Sequence, residues 1–358
     1  MSPLPVDLGI IEGYYGRPWG WPERERVVAA LAPHGYRFYL YAPKAATALR
    51  RRWREPMAVG EADAIAAFAA HCARRGVRFG VGLSPDAFDD RPGGDDWARL
   101  AERLATLDAI GIHDLALLFD DIRGDDPKLA DRQAAIVAFA AARTRATRLF
   151  ACPSYYSDDP VLDRVFGARP AGYLERLGRL LDPAVGVFWT GEEVCSREIS
   201  PAHLREVAQR LGRAPVLWDN YPVNDGQRMS QFLHLRAFTG RPSGNAPLLR
   251  AHAINPALQP ALGCIPALTL AERYRVGDDA YAYGAAFLRA CREVLGDPLA
   301  ESVRSNLIYL QDTGLDRLGE MATTLRRCYA AFDHPAAREI VDWLDGGYRI
   351  TDEIVRTQ

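Results

Sequence analysis

The chain has 358 residues, 48% of them hydrophobic and 25% charged, with a formal net charge of -2. It is long enough for one large barrel or two ordinary domains, and its charge offers no general attraction for nucleic acid or an anionic membrane. The six cysteines are scattered without a CxxC pair, the first residues lack the basic and apolar regions of a signal peptide, and no apolar run is long enough to span a bilayer, so a reduced cytoplasmic protein without disulfide framework or zinc ribbon is expected.

In chain order, strand-like runs are predicted over residues 8–15, 37–42, 78–83, 114–119, 148–152, 185–190, 215–218 and 248–254. Helical periodicity lies between them, over 22–33, 61–75, 96–110, 129–145, 172–181, 201–211 and 227–237. The 61–75 segment puts Ile65, Phe68, Ala69 and Cys72 on one face, and 96–110 does the same with Leu100, Leu104 and Leu107. Ser200-Pro201 reads as an N-cap followed by a first-turn proline, and Gly35, Gly76 and Gly111 sit just past helix ends. Strands alternating with helices in this number predict an α/β fold, a (β/α)8 TIM barrel. A doubly wound open sheet is the alternative. It would carry a glycine-rich phosphate loop after its first strand, whereas the first strand here runs into Glu12-Gly13-Tyr14-Tyr15-Gly16, with neither that loop nor a Walker lysine. From about residue 266 the pattern is helical throughout. The expected division is a catalytic barrel over 1–265, its closing helix extending to about 295, and a C-terminal helical appendage over 296–358.

In such a barrel the active site gathers at the C-terminal ends of the strands. These positions hold Glu12-Gly13-Tyr14, Lys44, Ser84-Pro85, Asp120-Asp121, Ser154-Tyr155-Tyr156, Trp189-Thr190, Trp218-Asp219-Asn220 and Asn255. The set is rich in carboxylate, amide, hydroxyl and aromatic groups. It contains no histidine, so neither a His/Asp metal cluster nor a Ser-His-Asp triad can be assembled from it, and no metal or cofactor is expected. A polar, hydroxyl-rich ligand with an apolar face, such as a sugar, fits what remains. Asp120-Asp121 stands out. Leu115 to Phe119 reads as a strand buried on both faces, and two adjacent carboxylates at its end repel each other and resist desolvation. Paired carboxyls with split pKa values are what glycoside chemistry uses.

The segments GIIEGYYGRPW, YLYAPK, ALLFDDI, ACPSYY, VFWTG, VLWDNYPVND and INP occur in that order between Gly9 and Pro256. This series resembles glycoside hydrolase family 84, which contains protein O-GlcNAcases and bacterial β-N-acetylglucosaminidases, some described as hyaluronidases. The resemblance implies retaining, substrate-assisted removal of terminal N-acetylglucosamine, in which the 2-acetamido oxygen attacks the anomeric carbon and forms an oxazoline. By motif position, Asp120 would hold the acetamide N–H, and Asp121 would protonate the leaving oxygen and then deprotonate water. Gly13 would let the backbone approach a sugar hydroxyl, and Lys44, one of only two lysines, would reach ring hydroxyls. Tyr156 would bond the acetamide oxygen, Trp218 would wall the acetamide methyl, and Asn220 would bond the acetamide or the catalytic aspartate. Asp225 and Asn255 would hold hydroxyls of the terminal sugar. Tyr155 stands where relatives often carry an acid, which implies a different leaving-group surface. Trp19 and Trp21 suit either a sugar cleft or packing of the first loop.

The expected partner is an N-acetylglucosamine-bearing protein or oligosaccharide, with no nucleic acid or membrane. A homodimer is an open arrangement, because in relatives the region after the barrel can complete the cleft or a dimer interface. Rival readings are a glycosidase or transferase acting on another 2-acetamido sugar, and an inactive sugar-binding barrel.

Overall fold

The computed structural model describes residues 3–91, 94–120, 124 and 126–358. Among them, strands β1 (Leu8–Ile11), β2 (Tyr36–Tyr41), β3 (Arg78–Leu83), β4 (Asp114–Leu118), β5 (Arg148–Cys152), β6 (Gly186–Trp189), β7 (Val216–Asp219) and β8 (Ala251–Ile254) pair in parallel, each with its sequence neighbour. β1 pairs with β8 and closes the barrel. Helices α1 (Trp21–Leu31), α2 (Val59–Arg74), α3 (Asp95–Ile110), α4 (Leu129–Ala141), α5 (Pro160–Phe166), α6 (Tyr173–Leu180), α7 (Pro201–Leu211) and α8 (Pro260–Val276) form the outer layer, and α8 returns against α1. The fold is the (β/α)8 barrel expected from the alternating pattern.

Side-chain parity organises the inside. Alternate residues, such as Leu40 and Ala42, Ala116 and Leu118, Phe150 and Cys152, and Val216 and Trp218, form one buried cluster along the axis. At the N-terminal end of the strands an ionic layer closes the barrel. Arg148 Nε donates to Asp114 at 2.9 Å, and Arg78 and Arg148 both meet Asp7. The opposite end is left for polar side chains facing a cavity.

The predicted helix over 227–237 does not form. The β7–β8 connection carries two short 3-10 turns, Met229–Gln231 and Ser243–Leu248. Between them the backbone bonds outward: Leu233 N–H donates to Leu310 O at 2.9 Å, and the N–H groups of Leu235 and Arg236 both donate to Gln311 Oε1 at 2.8 Å. Amides engaged by another segment cannot close an i to i-4 ladder. Leu233 and Leu235 are both buried, so the apolar residues at this point follow extended rather than helical spacing.

The remaining helices are α9 (Tyr283–Leu295), α10 (Asp297–Leu307), α11 (Met321–Ala330), α12 (Pro335–Leu344) and α13 (Asp352–Thr357). α9 packs on α8, α10 on α9, and α12 on α8 and α11. The last residues return to the barrel mouth. Gln227 Nε2 donates to Asp352 at 2.6 Å, Gly16 N–H donates to Gln358 Oε1 at 2.7 Å, and Gln358 Nε2 donates back to Gly16 O at 3.1 Å.

Candidate active site

Six of the eight strands deliver a cavity residue by the same step. The last axis-facing residue is followed, two positions on, by a polar or small residue at the cavity: Ile11 by Gly13, Ala42 by Lys44, Leu118 by Asp120, Phe188 by Thr190, Trp218 by Asn220, and Ala253 by Asn255. They line a cavity of about 170 Å³, together with Tyr15, Cys152, Tyr156, Val194, Cys195, Trp218, Val223 and Asp225. That volume is below the range of drug-sized sites and suits a single small polar ligand.

Asp120 follows β4 closely. Phe119 N–H still donates to Cys152 O at 2.9 Å, and the chain then leaves the sheet. Asp120 is 7% exposed, and its Oδ2 lies 2.5 Å from Nζ of Lys44, itself 4% exposed. A buried carboxylate needs such a charge partner. Its other oxygen, Oδ1, is buried without a hydrogen-bond partner among the described residues. A buried acceptor left without a partner, on a residue that lines a ligand-sized cavity, is one that a donor on a ligand would satisfy. Lys44 is anchored through its own N–H to Tyr14 O at 3.1 Å.

Opposite this pair runs a chain of amides. Gly13 N–H donates to Asn255 Oδ1 at 3.1 Å, and Asn255 Nδ2 donates to Asn220 Oδ1 at 3.0 Å. Trp218 Nε1 donates to the same Asn220 oxygen at 3.1 Å, and Asn220 Nδ2 donates to Val194 O at 2.8 Å. Both asparagine amides therefore have fixed orientations. Gly13 is required by packing: a Cβ there would overlap the Trp218 indole. Trp218 in turn meets Phe188 edge-on, with ring centroids 5.3 Å apart. Asp225 Oδ2 accepts from Tyr15 N–H at 2.9 Å, which ties the first loop to the β7–β8 connection.

Residues one step out of phase face the helices. Glu12 is fully buried and forks onto Arg24 of α1, with Nε–Oε1 at 2.7 Å and Nη2–Oε2 at 2.9 Å. The hydroxyls of Tyr14 and Tyr39 also donate to it. Burial first, and the Glu12 charge second, hold both phenols well above their usual range. This network fixes the end of β1 from behind.

The structure thus brings together Gly13, Lys44, Asp120, Tyr156, Trp218, Asn220, Asp225 and Asn255; Asp121 lies outside the described residues. Tyr155 does not form a leaving-group surface. It is fully buried, its hydroxyl donates to Gly167 O at 2.6 Å, and its ring meets Tyr173 edge-on. Trp19 and Trp21 are packing residues: Trp19 is 5% exposed and donates to Leu258 O, and Trp21 stacks on Tyr41. Tyr15, Val194, Cys195 and Val223 are additional lining residues. Thr190 and Cys152 follow from strand parity, whereas the loop-borne Val194, Cys195 and Val223 have no such signal.

The β-N-acetylglucosaminidase family model matches residues 8–310. The protein O-GlcNAcases of Mus musculus and Rattus norvegicus are each 30% identical over 279 residues, covering 75% of this chain and 30% of theirs. The chain therefore spans about 30% of the length of these relatives. Among solved structures, a variant of the O-GlcNAc hydrolase of Thermobaculum terrenum superposes with a TM-score of 0.78 at 26% identity, covering 94% of this chain and 80% of that one. The family match spans all eight strands and every candidate pocket residue, from Gly13 to Asn255, and on that ground the chain belongs to the β-N-acetylglucosaminidase family.

Proposed function

We propose that the protein is a retaining exo-β-N-acetylglucosaminidase that removes terminal N-acetylglucosamine by substrate-assisted catalysis. The observation that carries this reading is Asp120, which lines a cavity of about 170 Å³: one oxygen is tied to Lys44, and the other is buried without a hydrogen-bond partner among the described residues. An acetamide N–H is the donor such an oxygen suits. Accepting it orients the acetamide and raises electron density on its carbonyl oxygen, which attacks the anomeric carbon as the bond to the leaving oxygen breaks. In this reading Trp218 packs against the acetamide methyl and Tyr156 steadies the acetamide oxygen. Lys44, Asp225 and Asn255 hold ring hydroxyls. Asp121, by its motif position, supplies the proton to the leaving oxygen and then takes one from the water that opens the oxazoline.

Hydrolysis of aryl N-acetyl-β-glucosaminides tests the reading. Asp120→Asn is expected to lose about 10²-fold or more with any leaving group, since the internal nucleophile is weakened. Asp121→Asn is expected to lose most with poor leaving groups and little with activated ones. Equal losses on both would remove Asp121 as the acid, and an inert wild type would refute the activity.

The names of the mouse and rat relatives make glycosylated protein the first aglycone to compare with chitooligosaccharides. All six cysteines are free thiols, which suits a reducing cytoplasm. A homodimer is a further proposal, tested by sedimentation.

A further inference from the structure

Asp219 stands between Trp218 and Asn220 but faces away from the pocket, into the layer behind the barrel. Its carboxylate is 1% exposed and accepts from Arg241 through Nε at 2.8 Å and Nη2 at 2.7 Å. His252 Nε2 lies 3.0 Å from the same carboxylate, and its Nδ1 lies 3.0 Å from the Tyr274 hydroxyl. Burial alone would raise Asp219; Arg241 and His252 overcome it and hold the carboxyl down at about 2.

The rest of the Arg241 fork reaches another element. Nη2 donates to Ser196 O at 2.7 Å, and Nη1 donates to Arg197 O at 2.5 Å and Thr239 O at 3.3 Å. A guanidinium has five N–H donors in one plane, and every nitrogen of this one is engaged. A single side chain, 3% exposed, therefore ties the end of β7 to residues 196–197 after β6. The same two segments meet again in front, at the pocket. Asn220 follows Asp219 in the chain, and its Nδ2 donates to Val194 O, two residues before Ser196. Asn220 Oδ1 accepts from Trp218 and Asn255. Two of the three partners of the Asn220 amide, Val194 and Trp218, thus lie on segments that Arg241 holds, and the third, Asn255, follows β8.

We propose that Arg241 is a positioning residue for the sugar pocket: by gripping Asp219 and residues 196–197 together, it sets the orientation of the Asn220 amide, and through it Trp218 and Asn255. This inference rests on the glycosidase reading of the pocket. Stability alone does not require a buried fork, because an apolar pair of similar size often stabilises as well. The planar fork, which lysine cannot reproduce, is what holds two segments in fixed relation.

A double-mutant cycle tests it. Arg241→Lys is expected to lower kcat/KM on an aryl N-acetyl-β-glucosaminide by about 10-fold, in line with what a small misplacement in an active site does. In an Asn220→Ala background the same change is expected to lower it by less than about 3-fold, because its target is gone. Equal fold losses in both backgrounds would overturn the assignment. If Arg241→Lys does not fold, Asp219→Asn carries the same cycle. Failure of both to fold would make the clamp purely structural and also overturn it. An inert wild type would refute the glycosidase reading itself, whereas an active wild type with multiplicative losses would refute only the clamp.

Discussion

At the scale of single residues, charge pairing at Asp120 and Lys44 joins ligand chemistry to folding. Both side chains are buried, and each is the other's neutralising partner. Lys44→Met leaves a buried carboxylate uncompensated. It is expected to cost about 3–5 kcal/mol of stability, measured by urea unfolding, and to raise KM for the sugar. A variant as stable as the wild type would mean that the pair is open to water. These two residues were legible from sequence because they sit in phase with the barrel interior at the ends of β2 and β4. Asp219 was visible in its motif, but its role was not. Its partners lie 22 and 33 residues away in sequence, and no local spacing connects them.

Among the elements, the strands are legible in the sequence because a buried parallel strand is a continuous apolar run. The segment 227–237 shows why helix patterns mislead. Its amides are claimed by residues 310 and 311 of the appendage, a partner no local window contains. A similar long-range substitution occurs at α8. Its N-cap residue, Gln259, makes no side-chain cap bond. Instead Glu339 of α12 accepts from Ala261 N–H at 2.8 Å and Leu262 N–H at 3.0 Å, so the appendage supplies the cap. Glu339→Ala is expected to lower stability by about 1–3 kcal/mol, the range for stranding buried donors, with kcat on a small aryl glycoside unchanged. Thermal unfolding together with that assay checks it. An intact melting temperature would show that the cap is dispensable.

Across the whole molecule, the barrel separates its tasks by end. An ionic layer of Asp7, Arg78, Asp114 and Arg148 closes the N-terminal end, and the candidate pocket occupies the other. Residues 350–358 connect the appendage to that second end. Ile350 N–H donates to Ser230 Oγ at 3.2 Å, and Gln358 grips both polar backbone atoms of Gly16, the neighbour of the pocket residue Tyr15. Arg50 donates to the Gln358 carbonyl at 2.6 Å and lies 5.8 Å from the centre of the Tyr15 ring. Gln358→Ala is expected to raise KM by about 3-fold, as the loss of one or two modest hydrogen bonds would, while leaving kcat and the melting temperature close to wild type. An unchanged KM would detach this segment from the pocket.

The grip on Gly16 also gives the molecule an address for reporting. A probe carried on the side chain of residue 358 would sit beside the loop that holds the candidate pocket residue Tyr15, not at a remote pole. A small fluorophore coupled at that side chain is expected to change its emission when the candidate pocket is occupied.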